Sequence, residues 1–143
     1  MSGVDFLDSN VIVYALDAAG GIKGDVAERI LRAALQDHSA IISFQVVQET
    51  LHVIGRKFRT VARPPDRVAV LEEILAPLWR VYPSPALYGR ALGVQERYRF
   101  GFYDSLIVAS ALEAGCERLL SEDLQHGQKI ESLVIVDPFL ETA

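Results

Sequence analysis

The sequence contains a single cysteine, and it has no apolar run of the roughly 18 residues that a membrane-spanning helix needs. The lone Cys116 excludes an internal disulfide and a cysteine-based zinc site. It follows Gly115 at an apparent helix end without a convincing histidine partner, so we expect a buried or half-buried structural thiol. The N-terminus also lacks a basic stretch followed by an apolar one, the pattern of a secretory signal. These absences predict a cytoplasmic protein that does not enter a membrane.

Basic residues are outnumbered overall, since the chain carries a net charge of −5, yet they are concentrated in its middle. Nine basic and four acidic residues lie between Arg56 and Arg99, so this segment carries +5 and the rest of the chain −10. A basic segment beside an acidic pocket suits a phosphate backbone that meets a metal site. The candidate RNA contacts are the first four cations of the segment, Arg56, Lys57, Arg59 and Arg63. Ordinary solvated helix faces would give the same pattern, and charge alone leaves both interpretations open.

The length of 143 residues predicts one domain, spanning residues 1–143, with a core of its own. Half of the residues are apolar, which exceeds what a core of this size can hide. We therefore expect part of the apolar surface to serve self-association or a protein partner.

Five short apolar segments alternate with helical patterns, at residues 4–7, 40–42, 79–82, 118–121 and 133–136. This alternation predicts an α/β fold with a mainly parallel five-stranded sheet flanked by helices on both faces. Ser9 or Asn10 is expected to cap the first helix, and Ser43 and Ser84 two later ones. Pro77 should end the helix that Asp66 begins. In such folds the ligand binds at the carboxyl ends of the strands, near a switch in strand order.

Four acidic residues occupy positions from which they could reach that crevice. Asp8 directly follows the first strand in FLDSN, and Asp123, or its neighbour Glu122, follows the fourth in LLSEDLQ. Asp104 starts a helix in FYDSLIVASAL, and Glu49 lies within the helix SFQVVQETLHVI. Each one alone could be a helix cap, a turn residue or a solvated helix position. Together they predict a cluster of carboxylates.

Clustered carboxylates need a cation, because their charges repel one another and raise each other's pKa. Mg²⁺ or Mn²⁺ prefers oxygen ligands and would remove this penalty. A water held by such a metal can attack a phosphodiester while the metal neutralises the developing charge. No histidine suits a ligand set or a general base, although His52 and His126 could approach the site. We exclude three other acids from the cluster: Asp5, which strand alternation points to the other face, Asp17 and Asp137.

The sequence resembles the PIN-domain nucleases, and within them it is most similar to the VapC-type toxins of toxin–antitoxin pairs. The resemblance rests on DSN after the first strand, a mid-chain Glu on a helix after a strand–Ser turn, YDSLIVASAL, and LLSEDLQ, in this order along essentially the whole chain. It implies a five-stranded parallel sheet, dependence on Mg²⁺ or Mn²⁺, and endoribonuclease activity. It also implies a homodimer and an antitoxin whose C-terminal segment blocks the site.

The resemblance also assigns roles to residues. It implies that Asp8, Asp104 and Asp123 are direct or water-mediated metal ligands and that Glu49 is the fourth acid. Asn10 would orient Asp8, and Ser121 would support the side of Asp123. Many relatives have Thr where this sequence has Ser9 and Ser121; the hydroxyl is kept. The family pattern favours Asp123 over Glu122.

Other functions fit parts of the same pattern. A nuclease that processes RNA without being a toxin would need the same acids. A phosphoacceptor signalling domain also places acids at strand ends around Mg²⁺, but it normally has paired acids after the first strand and a Lys after the last. Here Leu7 precedes Asp8, and Asp137-Pro138 follows the last strand. An interaction module without catalytic activity would account for the apolar surplus but not for the four acids.

Overall fold

Six strands form one sheet in the order β3-β2-β1-β4-β6-β5 in the computed structural model, which describes residues 3–57 and 66–140. The strands are β1 Asp5–Leu7, β2 Ala40–Ser43, β3 Trp79–Val81, β4 Arg118–Leu120, β5 Lys129–Ile130 and β6 Leu133–Val136. The helices are α1 Ser9–Leu16, α2 Gly21–Asp37, α3 Phe44–Lys57, α4 Arg67–Val70, α5 Ala76–Leu78, α6 Pro85–Tyr98 and α7 Phe102–Glu113, with a π-helical turn at Leu71–Leu75 between α4 and α5.

The α/β fold with a mainly parallel sheet is confirmed, but the predicted number of five strands is wrong. All five predicted strands are present and pair in parallel. The sixth, β5, pairs antiparallel with β6 at the edge of the sheet through Lys129 opposite Val134 and Ile130 opposite Leu133. Two residues are too few to give a periodic pattern, so this strand leaves no signal in the sequence.

The central strands carry apolar side chains because helices cover the sheet. Phe6 and Leu7 on β1 and Leu119 on β4 are fully buried. α1 and α2 pack together and contribute Ile12 and Leu31, respectively, to the main core, whereas α6 and α7 pack on each other around a smaller apolar cluster. Continuous apolar strands of this kind are typical of parallel sheets that are buried on both faces.

Local chemistry explains where several helices begin and end. Ser43, Asp66 and Ser84 cap their helices as predicted, each by accepting a backbone N–H bond in the first turn. The first helix differs, because Asp8 and neither Ser9 nor Asn10 is its cap. Ala76 closes the π-helical turn with a bond to the Leu71 carbonyl and begins α5. Pro77 lies in the first turn of α5, so the prediction that it ends the helix is wrong.

The end of α7 and the environment of the one cysteine also agree with the predictions from the sequence. Gly115 has a positive φ of 73° directly after α7, a conformation that favours glycine. Cys116 is buried, and burial raises the pKa of its thiol to about 12. None of the helices in residues 3–57 and 66–140 is both long and apolar enough to cross a bilayer.

The order of the strands switches between β1 and β4. From β1 the chain continues to β2 and β3 on one side, and it returns to β4 on the other side. The two strands pair in register from Asp5 opposite Arg118 to Leu7 opposite Leu120, and the Asp8 amide then donates to the Leu120 carbonyl over 3.0 Å. The residues that follow β1 and β4 therefore leave the sheet side by side. This is the arrangement that the prediction of a shared crevice needs.

Candidate active site

Asp8 lies at the centre of this crevice with both of its carboxylate oxygens held. The backbone N–H of Ser9 donates to Oδ1 over 2.8 Å, and the Ser121 hydroxyl donates to Oδ2 over 2.7 Å. Only 6% of the residue is exposed. Asp8 therefore serves as the cap of α1 and also presents a buried acid at the switch point.

Burial raises the pKa of the Asp8 carboxyl to about 6. The hydrogen bonds from Ser121 and Ser9 lower it again in part, because they stabilise the charged form, and the negative charges of Glu49 and Asp123 raise it further. A buried acid with neighbouring acids is a costly arrangement in the absence of a positive charge.

Glu49 approaches Asp8 from α3. Its Oε1 lies 3.4 Å from the Ser9 hydroxyl, and its Oε2 lies 3.4 Å from the Gln45 side-chain nitrogen. Burial is the largest cause that raises the pKa of Glu49, and the charges of Asp104 and Asp123 add to this effect. Glu49 thus faces the crevice and is not a solvated helix position.

Asp104 and Asp123 complete the group from α7 and from the turn after β4. Asp104 lies in the first turn of α7, and although the residue as a whole is exposed, partial desolvation of its carboxyl and the charge of Asp123 raise its pKa. The Asn10 side-chain nitrogen donates to Asp123 Oδ2 over 3.2 Å, and the Asp123 amide donates to the Ser121 hydroxyl over 3.2 Å. The four acids therefore belong to one electrostatic unit, which we call the acid cluster: Asp8, Glu49, Asp104 and Asp123.

Glu122 occupies a different environment from its neighbour Asp123. Its Oε1 accepts from the Tyr14 hydroxyl over 2.8 Å, and its Oε2 accepts from the Lys23 ammonium over 2.5 Å. Burial would raise the pKa of Glu122, but these bonds from Lys23 and Tyr14 outweigh it, and the pKa lies below its ordinary value. The geometry therefore favours Asp123 as the acid of the LLSEDLQ turn that joins the cluster.

The donor set of the acid cluster fits a hard divalent cation. All four side chains are carboxylates, and none forms an ion pair with a lysine or arginine within the described ranges. In the same ranges, no three acidic, histidine or cysteine side chains already lie close enough together to enclose an ion. Such an open arrangement still suits Mg²⁺, because this ion keeps several waters and usually takes only one or two carboxylates from the protein.

Gln45 was not predicted from the sequence, and it connects the part of the cluster on α3 with the part at the start of α7. Its side-chain nitrogen donates to the Tyr103 carbonyl over 3.0 Å, one residue before Asp104, and approaches Glu49. The residue is 3% exposed, and its Oε1 has no hydrogen-bond partner. Its position four residues before Glu49, on the same face of α3, was the signal that could have identified it.

The other candidate residues lie apart from the cluster or outside the described residues. Arg56 is exposed near the end of α3, whereas Arg59, Arg63 and the side chain of Lys57 fall outside what the structure describes. His52 is exposed on α3, and His126 accepts a bond from the Asp137 amide through Nδ1 over 3.0 Å.

Asp5, which the sequence placed on the other face of β1, forms an ion pair with Arg118 at 2.6 Å.

Comparisons with known proteins agree with this architecture. The PIN domain model matches residues 6–129, whereas curated protein sequences give no match. Among solved structures, the chain is similar to Mycobacterium tuberculosis VapC20, a toxin that cleaves the sarcin–ricin loop, with 20% identity, a TM-score of 0.63 and coverage of 83% of this chain and 91% of that one.

Two further structures are similar. A toxin–antitoxin complex from Klebsiella pneumoniae gives 16% identity, a TM-score of 0.68 and coverage of 94% and 97% of the two chains. VapBC2 from Rickettsia felis, bound to a DNA fragment from its promoter, gives 18% identity, a TM-score of 0.64 and coverage of 92% and 96%. At these identities the likeness establishes the fold.

Proposed function

Because this chain belongs to the PIN domain family, we propose that it is an endoribonuclease that depends on Mg²⁺ or Mn²⁺ and acts as the toxin of a toxin–antitoxin pair. The observation that carries the proposal is the acid cluster, in which four carboxylates converge at the β1–β4 switch without an ion-pair partner in the described residues. Such a cluster is costly at neutral pH, and a divalent cation that would offset this cost also serves phosphodiester chemistry.

In this proposal, Asp8, Asp104 and Asp123 hold the metal directly or through water, and Glu49 acts as the fourth acid. When bound, the metal supplies an activated water and neutralises charge on the phosphate. The remaining residues position these ligands. Ser121 and the Ser9 amide fix the two oxygens of Asp8. Asn10, which was expected to orient Asp8, donates instead to Asp123.

The RNA backbone would be held by the basic segment of the chain. Arg56 lies near the end of α3, the helix that also carries Glu49, about two turns further along. We propose Arg56, Lys57, Arg59 and Arg63 as contacts that hold phosphates while the cluster acts on one of them.

A toxin of this type also needs protein partners. We propose a homodimer and a cognate antitoxin, in line with the toxin–antitoxin complexes among the similar structures. Large apolar side chains on the surface support this: Ile22, Val68, Tyr82, Tyr88, Leu92, Tyr103 and Leu140 are all exposed. We place the protein in the cytoplasm as part of the same proposal, because its RNA substrate is there.

The experiment compares the wild-type protein with Asp8→Asn and Asp104→Asn on a labelled RNA pool. Wild-type protein should cut RNA with Mn²⁺ or Mg²⁺ and not with EDTA, and each variant should lose at least about a hundredfold in rate, because the cation loses a charged ligand. The control is Asp25→Asn, at an exposed position on α2. Cleavage at the wild-type rate by either cluster variant, folded by circular dichroism, would contradict the proposal.

The toxin role has a separate test. Expression of the wild-type chain should arrest growth of the host cell, and expression of Asp8→Asn should not. Co-expression of the protein encoded beside this gene should restore growth. Growth arrest by both versions would show that the effect does not depend on cleavage.

A further inference from the structure

A pocket of about 260 Å³ adjoins the acid cluster on the side of α1. It lies between α1, α3 and the turn after β4. Seven residues line it: Ser9, Asn10, Val13, Tyr14, Val53, Glu122 and Asp123. Asn10 and Asp123 also belong to the site described above, so an occupant of this pocket lies directly beside whatever the acid cluster holds.

The two sides of the pocket differ in chemistry. Val13, Val53 and the ring of Tyr14 provide an apolar surface, and Tyr14 is fixed by an edge-on contact with Phe139 at 5.0 Å between ring centroids. The Glu122 carboxylate, which accepts from the Tyr14 hydroxyl, provides the polar side. A flat group with an apolar face and a hydrogen-bonding edge matches this combination.

Glu122 is held in a fixed orientation but keeps capacity to accept further bonds. Tyr14 and Lys23 each donate to one of its oxygens, whereas an ionised carboxylate has about four lone-pair sites. The Lys23 ammonium also offsets the charge of Glu122. The rim therefore accepts hydrogen bonds without adding net negative charge that would repel a phosphate.

We propose that this pocket holds one base of the RNA substrate, next to the phosphate that is cut, and that Glu122 selects a base with an exocyclic amino group. The inference rests on the proposed function, since it names the nucleotide subsite of the same nuclease. Cytosine, adenine and guanine carry an exocyclic amino group that can donate to the carboxylate, whereas uracil lacks this group and offers only its ring N3–H.

The volume and position of the pocket favour a base over a protein segment. Pockets for drug-sized ligands measure roughly 300–1,000 Å³, so this one has room for a single nucleoside unit. The sugar and phosphate attached to that unit would extend past Asn10 and Asp123 toward the acid cluster. A basic side chain of a partner protein is the alternative occupant that would also satisfy Glu122.

The test uses short RNAs of random sequence, cut with Mn²⁺ present and sequenced at their new ends. We expect wild-type protein to disfavour uridine at one position beside the cut by at least about fivefold, from hydrogen bonds to the base edge. Glu122→Gln should reduce this preference below about twofold, because the amide replaces one acceptor with a donor. The matched control is Glu131→Gln, which also removes an exposed ion pair, here with Arg90, and should keep the full preference.

A second pair of variants tests whether the RNA substrate needs the open volume of the pocket. Val53→Phe should fill the pocket and raise KM for RNA about tenfold, with the Mn²⁺-induced rise in melting temperature unchanged, because no cluster residue is altered. Val68→Phe, the same change at an exposed valine, should leave KM as it is.

The outcomes separate the two proposals. If wild-type protein cuts RNA and Glu122→Gln keeps the same preference, or if Val53→Phe keeps its KM, the pocket does not hold a base, and a basic side chain of a partner becomes its occupant. If wild-type protein cuts no RNA with Mn²⁺ or Mg²⁺, the proposed function fails, and the base subsite fails with it.

Discussion

The Ser121 hydroxyl donates to the Asp8 carboxylate over 2.7 Å, although 113 positions separate the two residues. The same hydroxyl accepts from the Asp123 amide and lies 3.4 Å from the Asn10 side chain. One small side chain thus connects the acid after β1 with the acid after β4. Its contribution is open to direct measurement, because the chain offers a second buried serine for comparison.

Ser121→Ala should lower the free energy of unfolding by about 2 kcal/mol, since a buried carboxylate loses a hydrogen bond. It should also raise the Mn²⁺ concentration for half-maximal thermal stabilisation, because Asp8 is no longer fixed. Urea titration and thermal melting measure the two effects. The control is Ser110→Ala, which removes a buried hydroxyl that donates to the Leu106 carbonyl far from the cluster. Equal Mn²⁺ responses in both variants would contradict this role for Ser121.

The stability of the metal-free protein should decrease as the pH rises from about 4 to about 6. Asp8 has a pKa of about 6 in the folded state, above its ordinary value of 3.8, so the folded state binds more protons than the unfolded state in this range. The loss amounts to about 3 kcal/mol, at 1.36 kcal/mol for each pH unit. Glu49 and Asp104 act in the same direction, because burial raises the pKa of each.

Asp8→Asn should remove most of that pH dependence and should be more stable than metal-free wild type at pH 7.5, because no charge is buried. Excess Mn²⁺ should reverse the order by stabilising the wild type alone, as a ligand that binds the native state does. Urea denaturation in EDTA and in Mn²⁺ at several pH values makes the comparison. An unchanged slope in the variant would show that Asp8 does not carry the effect.

Gln45→Met should reduce the cleavage rate about tenfold while changing stability little. The change removes the bond that connects Glu49 with the start of α7 at Tyr103, but it also removes a buried oxygen that has no partner. Steady-state kinetics should show the loss in kcat and not in KM, since Gln45 positions an acid. The control is Thr50→Val, which removes the unpartnered buried hydroxyl of Thr50 and should leave kcat unchanged.

Cys116 should resist alkylation in the folded protein. The thiol is buried with its pKa raised to about 12, so almost no thiolate forms at pH 8. Iodoacetamide labelling followed by mass spectrometry should show one modified site in 8 M urea and almost none in buffer. Rapid labelling in buffer would mean that the helix end at Gly115 opens readily.

The sequence was sufficient to predict the elements whose signals are local and strong. The apolar segments of β1 and β4, the serine caps of α3 and α6, and the glycine after α7 depend on residues within one or two turns. β5 could not be predicted, because its two residues form a strand only by pairing with β6. The turn of helix at Pro77 was also missed, since a π-helical turn before the proline rearranges the bonds that it would break.

The candidate site also has features that the sequence predicts and features that it does not. The positions of Asp8 and Asp123 after strands pointed to a shared crevice, and the structure places both strands side by side. The choice between Glu122 and Asp123 depends on Tyr14 and Lys23, which lie about a hundred positions away in the chain. No local pattern contains that information, because the partners meet only through the packing of α1 and α2 against the turn after β4.

The hydrogen bond between Ser121 and Asp8 also limits how early the acid cluster can form while the chain is being synthesised. β1 cannot pair with β4, and Asp8 cannot meet Asp123, until the ribosome has released the chain past residue 123. A nascent chain that stalls before residue 118 therefore has at most three of the four acids and lacks the strand that aligns them. If the proposed nuclease activity needs all four acids, a chain that stops short of β4 does not have it.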